Sequence, residues 1–262
     1  MKTTSISVPA NPFDLSGQTA LVTGANRGLG RATAIALAQA GAKVALGVRD
    51  VNGHDELVAD ITAIGAEAIV VRLDVTDLVA SRAAIDETVR RFGSLDILVN
   101  NAGGGIGGPA MEVTEEDFDT VWSLNTKSSF FLSQHAATHM RAAGRGAIVN
   151  VSSQAGLVAL PGEASYCIAK AAVNHLTRCL AVEWGDYGIR VNAVAPTFIE
   201  TDGTSDALSD PAFRADTIER IAALHRIGVP TEVSGAVVFL ASPAASLITG
   251  QVLAIDGGWT AR

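Results

Sequence analysis

Thr19-Ala-Leu-Val-Thr-Gly-Ala-Asn-Arg-Gly-Leu-Gly30 decides how this chain folds. Thr19–Thr23 is a short, mostly apolar run that reads as a buried strand. The residues after it carry Gly24, Gly28 and Gly30, and from about Leu29 to Ala40 the pattern is helical, closed by Gly41. A strand that runs through a glycine turn straight into a helix is a phosphate cradle. The glycines let the backbone turn sharply and approach a ligand, and the helix start offers free N–H groups and a positive dipole end to a pyrophosphate. Asn26, Arg27 and Leu29 stand between the glycines and count as cofactor-facing with them. The spacing is Gly-x-x-x-Gly-x-Gly, not the commoner Gly-x-Gly-x-x-Gly.

Outward from this stretch, strand-like runs recur at Lys43–Val48, Ala68–Leu73, Leu95–Asn100, Gly146–Val151, Arg190–Val194 and Val252–Ile255. Helical patterns fall between them near 54–64, 77–92, 115–142, 164–184 and 231–241. The alternation predicts an α/β fold, a parallel sheet with helices on both faces. Asp96-Ile-Leu-Val-Asn100 has an unbroken apolar centre, as a strand covered on both faces requires. No repeat or compositional break divides the chain, so residues 16–262 are expected to form one domain. Residues 1–15, with Pro9 and Pro12, are expected to form a loose arm. The stretch from about Thr201 to Arg226 is polar, carries Gly203 and Pro211, and interrupts the alternation. It is expected to be a lid over the site.

Composition narrows the function classes. The chain has 262 residues, 48% of them apolar, with 26 glycines and 5% aromatics. Its core is therefore built of Ala, Val, Ile and Leu. A formal charge of −8 without any Lys/Arg-rich stretch argues against nucleic acid and anionic membranes as partners. No apolar run is long enough to span a bilayer, and the first residues show no signal-peptide pattern. The two cysteines, Cys167 and Cys179, form neither a CxxC pair nor a ligand spacing, which fits a reduced, cytoplasmic setting.

Two arginines bear on the cofactor. Arg27 lies inside the glycine loop, and Arg49 follows the second strand, where an adenosine ribose would lie. An acid at that strand end would accept from a ribose 2′-hydroxyl and repel a 2′-phosphate, but Val48 stands there. Two guanidinium groups can grip a 2′-phosphate. NADP(H) is the preferred expectation, with NAD(H) as the alternative.

Tyr166 and Lys170 are four residues apart in a strongly helical segment, Ala164–Trp184, so both fall on one face. An ammonium beside a phenol stabilises phenolate, as does a positive nicotinamide ring, which predicts a tyrosine pKa lowered toward neutrality. Such a phenol can give a proton to a carbonyl oxygen or take one from an alcohol. Three neighbours strengthen this reading. Ile148-Val-Asn-Val-Ser-Ser153 and the Asn100-Asn-Ala-Gly103 stretch end strands with polar groups where a doubly wound sheet presents its site. Asn125 puts an amide on an otherwise packed helix, where it needs a partner.

Together these residues resemble the short-chain dehydrogenase/reductase family of the compact single-domain type. The likeness runs from Gly17 to Trp259. It implies a Rossmann-type sheet of seven parallel strands and a catalytic tetrad. In that scheme Ser153 holds the substrate oxygen, Tyr166 is the acid/base, and Lys170 lowers its pKa and binds the nicotinamide ribose. Asn125 positions a water that joins Lys170 to a proton relay. Ser153, unlike Ser152, has the family's spacing to the tyrosine. The likeness also implies that Asp74 and Val75 contact adenine, and that Asn101, Ala102 and Gly103 line the riboses. Pro196, Ile199 and Thr201 would bind the carboxamide. Thr197 departs from the glycine usual after that proline, and crowding there is expected to shift the ring or narrow the substrate pocket. The helices at 115–142 and 164–184 resemble those that pair subunits, so a homotetramer is expected.

The expected reaction is reversible hydride transfer between the nicotinamide cofactor and a small carbonyl or secondary alcohol. Phe198-Ile-Glu-Thr-Asp202 and the Asn-Arg glycine loop are similar to 3-oxoacyl carrier-protein reductases. The Asp256-Gly-Gly-Trp259 ending and the Asn125–Phe131 segment are similar to sugar-acid or polyol dehydrogenases, the reading preferred. A regulatory protein that binds nucleotide without turnover is the alternative of another class. His135 and His139 are four apart on a helix, but no third metal ligand stands near them in sequence, so no metal is expected. Gly103-Gly-Gly-Ile-Gly-Gly108 opens no helix at once and reads as a flexible wall of the substrate pocket.

Overall fold

A computed structural model describes residues 11–261. Seven parallel strands form one sheet in the order β3-β2-β1-β4-β5-β6-β7. They are β1 (Thr19–Thr23), β2 (Lys43–Val48), β3 (Ala68–Arg72), β4 (Ile97–Asn100), β5 (Gly146–Val151), β6 (Ile189–Pro196) and β7 (Val252–Ile255). The chain winds outward from β1 to β3, then crosses back so that β4 pairs with the other side of β1. That reversal opens a crevice at the carboxyl ends of β1 and β4, where open α/β sheets bind ligands.

Helices α1 (Gly28–Gln39), α2 (Asp55–Ala63) and α9 (Pro230–Ala241) cover one face, and α3 (Leu78–Phe92), α5 (Ser128–Ala143) and α6 (Ala164–Trp184) the other. Each face has its own core, because alternate strand residues point to opposite sides. Leu21 and Leu98 pack under α3 and α5, whereas Val22 and Val99 pack under α1 and α9. Local chemistry sets the helix ends. Asp77 caps α3 by accepting from the N–H groups of Val79 and Ala80, and Gly93 ends it with a φ of 89°.

The structure corrects two expectations and adds detail to a third. The pattern at 115–142 is not one helix. It divides into α4 (Glu115–Trp122), a π-turn over Ser123–Lys127, and α5. Asn125 Nδ2 donates to the Val121 carbonyl (2.8 Å), Ser128 Oγ to Leu124 (2.6 Å) and Ser129 Oγ to Asn125 (2.6 Å). These side chains compete with the helical ladder for its carbonyls, at the place where the wider turn forms. The polar stretch 201–226 holds two helices, α7 (Ser205–Ser209) and α8 (Pro211–Arg220), the second started by the Asp210 cap and Pro211.

Of the expected arm, residues 1–10 lie outside the described residues, and residues 12–15 belong to the packed domain. Leu15 is fully buried in the α1–α9 core and its N–H donates to the Ala40 carbonyl (2.8 Å). Phe13 lies against Phe239, with ring centroids 6.3 Å apart and planes tilted by 49°, and the Pro12 carbonyl accepts from Ala244 N–H. The prolines obscured an apolar Phe13–Leu15 anchor.

The stretch 201–226 has its own small core of Leu208, Ile221 and Ile227 with Phe198 and Trp259. The Gly257 carbonyl accepts from the N–H groups of Ala223 (3.1 Å) and Leu224 (3.0 Å). Gly257 has a φ of 58°, and a Cβ there would lie 2.5 Å from Ile221 Cγ2. Asp256 holds the turn by accepting from Gly258 and Thr260 N–H groups at 3.0 and 2.9 Å. The Asp256-Gly-Gly-Trp259 ending is thus the seat of this segment.

Candidate active site

The crevice is a cleft of about 950 Å³. One end is formed by the loop between β1 and α1. Thr23 Oγ1 accepts from the N–H groups of Asn101 and Ala102, both at 2.9 Å, and Asn101 Nδ2 donates to the Thr23 carbonyl (2.8 Å). The loop is therefore clamped to the end of β4. Gly24 and Gly28 have φ of 65° and 54°, and a Cβ on Gly30 would collide with the Gly24 carbonyl oxygen. Arg27 is the N-cap of α1 and its side chain caps no N–H. The first turn of the helix thus keeps donors for a phosphate. Asn26, Arg27, Leu29 and the three glycines all line the cleft.

Val48, Arg49, Asp74 and Val75 line the cleft beyond the end of β2. Asp74 accepts from the N–H (3.0 Å) and hydroxyl (2.7 Å) of Thr76. Those bonds hold its carboxyl below the usual range, helped by the charges of Arg49 and Arg72. Asp50 also reaches this end, but its Oδ1 accepts from Asn52 N–H (3.0 Å) and Nδ2 (2.8 Å). The acid beside Arg49 is therefore engaged in its own turn. His54 Nε2 bonds the Asp50 carbonyl at 2.8 Å. Sequence reasoning passed over Asn52 and His54, although Asp50-x-Asn52 is a readable turn signal.

At the other end Ser153, Tyr166 and Lys170 line the cleft together, with Gly103 beside them. Lys170 is 4% exposed and donates from Nζ to the Val151 carbonyl at 2.8 Å, with Nζ 5.6 Å from the Tyr166 ring centroid. Ser153 Oγ donates to Gln154 Oε1 (2.9 Å) and accepts from Ala155 N–H (3.1 Å). Asn125 does not line the cleft. It is buried behind the wall, its carboxamide bonded to Gly104 N–H (3.2 Å) and carbonyl (2.7 Å). Gly103 passes so close that a Cβ would lie 2.7 Å from Asn125 Oδ1 and 3.1 Å from Lys170 Nζ.

The expected low tyrosine pKa is not found in the chain by itself. Burial pushes Tyr166 up to about 12, Ser153 offsets part of this, and the Glu163 charge adds to it. Burial also pulls Lys170 down to about 8. Desolvation disfavours the charged form of both groups and is the largest influence on each.

Glu163 was not foreseen. A Cβ on Gly105 would lie 3.1 Å from its Oε2, and one on Gly107 2.9 Å from its Oε1. The glycines of 103–108 thus make room for a carboxylate beside the phenol. That carboxylate has no hydrogen-bond or ion-pair partner among the described residues, and burial raises its pKa. The wall is tied at Gly108, whose N–H donates to the Gly162 carbonyl (2.8 Å).

Pro196, Thr197, Ile199 and Thr201 close the cleft opposite the glycine loop. A Cβ on Gly28 would touch Thr201 Cβ at 3.4 Å. Thr197 N–H donates to the Ile255 carbonyl (3.1 Å), while its Oγ1 is buried without a partner. A clamped glycine loop with helix donors, and an orphaned hydroxyl in the facing wall, fit a bound dinucleotide.

A family model described as enoyl-(acyl carrier protein) reductase matches residues 24–260. The chain belongs to the short-chain dehydrogenase/reductase family. It is 39% identical to 2-dehydro-3-deoxy-D-gluconate 5-dehydrogenase of Escherichia coli (strain K12), over 95% of this chain and 98% of that protein. It is 38% identical to D-threitol dehydrogenase of Mycolicibacterium smegmatis, over 95% of each. A gluconate 5-dehydrogenase from Burkholderia cenocepacia, solved with NADP and tartrate, superposes with a TM-score of 0.92 at 36% identity, covering 96% of this chain and 98% of that one. This short-chain dehydrogenase/reductase is accordingly an enzyme that acts between CH–OH and C=O groups.

Proposed function

We propose that the enzyme interconverts a secondary hydroxyl and a ketone on a small polyhydroxylated compound, a polyol or a sugar acid, with NADP(H) preferred over NAD(H). The observation that carries this reading is the meeting of Ser153, Tyr166 and Lys170 at one end of a cleft whose other end holds Arg27 and Arg49. The names of the sugar-acid and polyol dehydrogenases above support the substrate class. The solved gluconate 5-dehydrogenase with NADP supports the cofactor, as does the engagement of Asp50 with Asn52.

The cofactor would be held by the glycine loop and the N-terminus of α1 at its pyrophosphate, by Arg27 and Arg49 at a 2′-phosphate, and by Asp74 and Val75 at adenine. Asn101, Ala102 and Gly103 would line its riboses, and Pro196, Thr197, Ile199 and Thr201 its carboxamide. When bound it supplies the hydride donor or acceptor and a positive ring in its oxidised form. In reduction Tyr166 gives its phenolic proton to the carbonyl oxygen, and in oxidation it takes the proton from the alcohol. A pKa of about 12 suits the donor, and a positive charge nearby lowers it for the reverse step. Ser153 Oγ turns from Gln154 toward the substrate oxygen. Asn125 fixes the Gly104 backbone beside Lys170 and places the relay water.

Within this class Glu163 favours neutral polyols. A carboxylate accepts from substrate hydroxyls and repels a sugar-acid carboxylate. Of the Lys and Arg residues lining the cleft, Arg27 and Arg49 lie at the adenosine end and Lys170 is committed to Val151. Residues 201–226 act as the lid, and the protein works in the cytoplasm as a homotetramer. Ile168 and Val182 on α6 are 51% and 85% exposed, and β7 leaves one sheet edge open with Leu253 39% exposed. Such faces pair readily.

The test is a panel of polyols, aldonates and 3-oxoacyl thioesters, run with each cofactor and read at the nicotinamide absorbance band. Polyol turnover with NADP(H), abolished by Tyr166→Phe with cofactor binding intact, is expected. Turnover of acyl thioesters alone would reject the substrate class. Cofactor binding without turnover of any compound would favour a regulatory protein.

A further inference from the structure

Away from the cleft, α3 and α5 bring together three side chains that the reaction does not use. His135 and His139 stand one turn apart on α5, and Asp86 projects toward them from α3. Asp86 Oδ1 lies 2.8 Å from His135 Nε2 and 2.9 Å from His139 Nε2. The three ligand atoms are all within 4.8 Å of one another. The third ligand missing from the sequence reading is thus supplied by a helix some fifty residues earlier, where no spacing rule would look.

We propose that Asp86, His135 and His139 form a binding site for one divalent transition-metal ion of borderline softness, Zn²⁺ above all. Two imidazoles and one carboxylate suit zinc and its neighbours, whereas magnesium and calcium take sets of oxygens. Zinc bonds of about 2.0–2.2 Å place adjacent ligand atoms roughly 3.3 Å apart in a tetrahedron. Asp86 Oδ1 therefore needs to draw back by only about half an ångström from each imidazole nitrogen, and the two nitrogens lie within 4.8 Å of each other.

Their footing is rigid. Ile85, next to Asp86, and Ala136 and Met140, next to the histidines, are all buried in the same core. The rings stand at 89° to each other with centroids 5.5 Å apart, so their edges converge without stacking. Two of the nearby cations are engaged elsewhere. Arg90, one turn after Asp86, is held by Glu87, and Arg141 lies over the Tyr187 ring at 4.3 Å. Asp86 keeps a side chain 56% exposed and the imidazoles 23% and 30%, so an ion can enter and keep water in its fourth position. A bound ion would tie α3 to α5 and stabilise the folded chain by mass action.

The probe is Zn²⁺ alone, titrated by calorimetry into the full-length protein after chelator treatment, with thermal unfolding followed in parallel. One ion per chain with micromolar affinity is expected, with a rise in Tm at saturating Zn²⁺. His135→Ala, His139→Ala and Asp86→Asn should each weaken binding at least about tenfold and remove the Tm gain. These three residues lie outside the cleft, so metal-free turnover stays as in the parent. A parent that binds no Zn²⁺, or one whose binding and Tm gain persist in the His135→Ala/His139→Ala double variant, overturns the proposal.

Discussion

Lys170 hangs its ammonium from the Val151 carbonyl at 2.8 Å while holding it 5.6 Å from the centre of the Tyr166 ring. The amine is thus fixed by the sheet and meets the phenol as a neighbour, not as a hydrogen-bond partner. Burying it costs stability. Its pKa falls to about 8 in the folded chain against 10.5 for an ordinary lysine. Between those values the unfolded chain holds a proton that the folded chain has released, so stability rises with pH across the window. The full effect is on the order of 3 kcal/mol. Lys170→Met should be inactive, more stable than the parent at pH 7, and without this alkaline gain. Denaturant unfolding at pH 7, 8.5 and 10 measures it. A parent profile that is flat or falling over that range would contradict the burial argument.

Glu163 raises the Tyr166 pKa through its charge. Glu163→Gln removes that charge while keeping the shape, so the alkaline limb of the pH–rate profile should move to lower pH by up to about one unit. Sugar-acid oxidation should gain relative to polyol oxidation. An unmoved limb would place Glu163 outside the electrostatics of the phenol.

Much of this was legible in the sequence for a physical reason. β1, the glycine loop and α1 are local, and their chemistry is written in consecutive residues. Tyr166 and Lys170 share a helix face, so their spacing reports their proximity. The π-turn at Ser123–Lys127 was hidden because the serine and asparagine bonds that accompany it are compatible with a plain helix pattern. Glu163 was hidden because its place against Gly105 and Gly107 depends on two loops meeting. The same holds for Asp86 beside His135. In the chain by itself the tyrosine pKa is raised, since burial, invisible to spacing, disfavours phenolate.

Arg49 lines the cleft after β2, with Asp50 turned onto Asn52. If its guanidinium meets a 2′-phosphate, Arg49→Ala should raise the KM for NADPH by about tenfold to a hundredfold, the worth of a charge-assisted contact. The KM for NADH should change by less than about threefold, because that cofactor presents no phosphate there. Initial rates with both cofactors give the comparison. Equal losses would assign Arg49 to the shared part of the dinucleotide.

Gly103 separates Asn125 from Lys170 by the width of a backbone. An added methyl would sit 2.7 Å from Asn125 Oδ1 and 3.1 Å from Lys170 Nζ, so one of the two must move. Neither moves cheaply, since Asn125 is bonded to both polar groups of Gly104 and Lys170 to Val151. Gly103→Ala should therefore lower kcat by about a hundredfold or more, as misplacement near reacting atoms does. Overpacking should cost about 1–3 kcal/mol of stability. Gly104→Ala is the control, because a Cβ there meets only Leu124 Cδ2 at 3.6 Å, an ordinary contact. If Gly104→Ala and Gly103→Ala lose kcat equally, the damage comes from stiffening the loop and not from displacing the amine and amide.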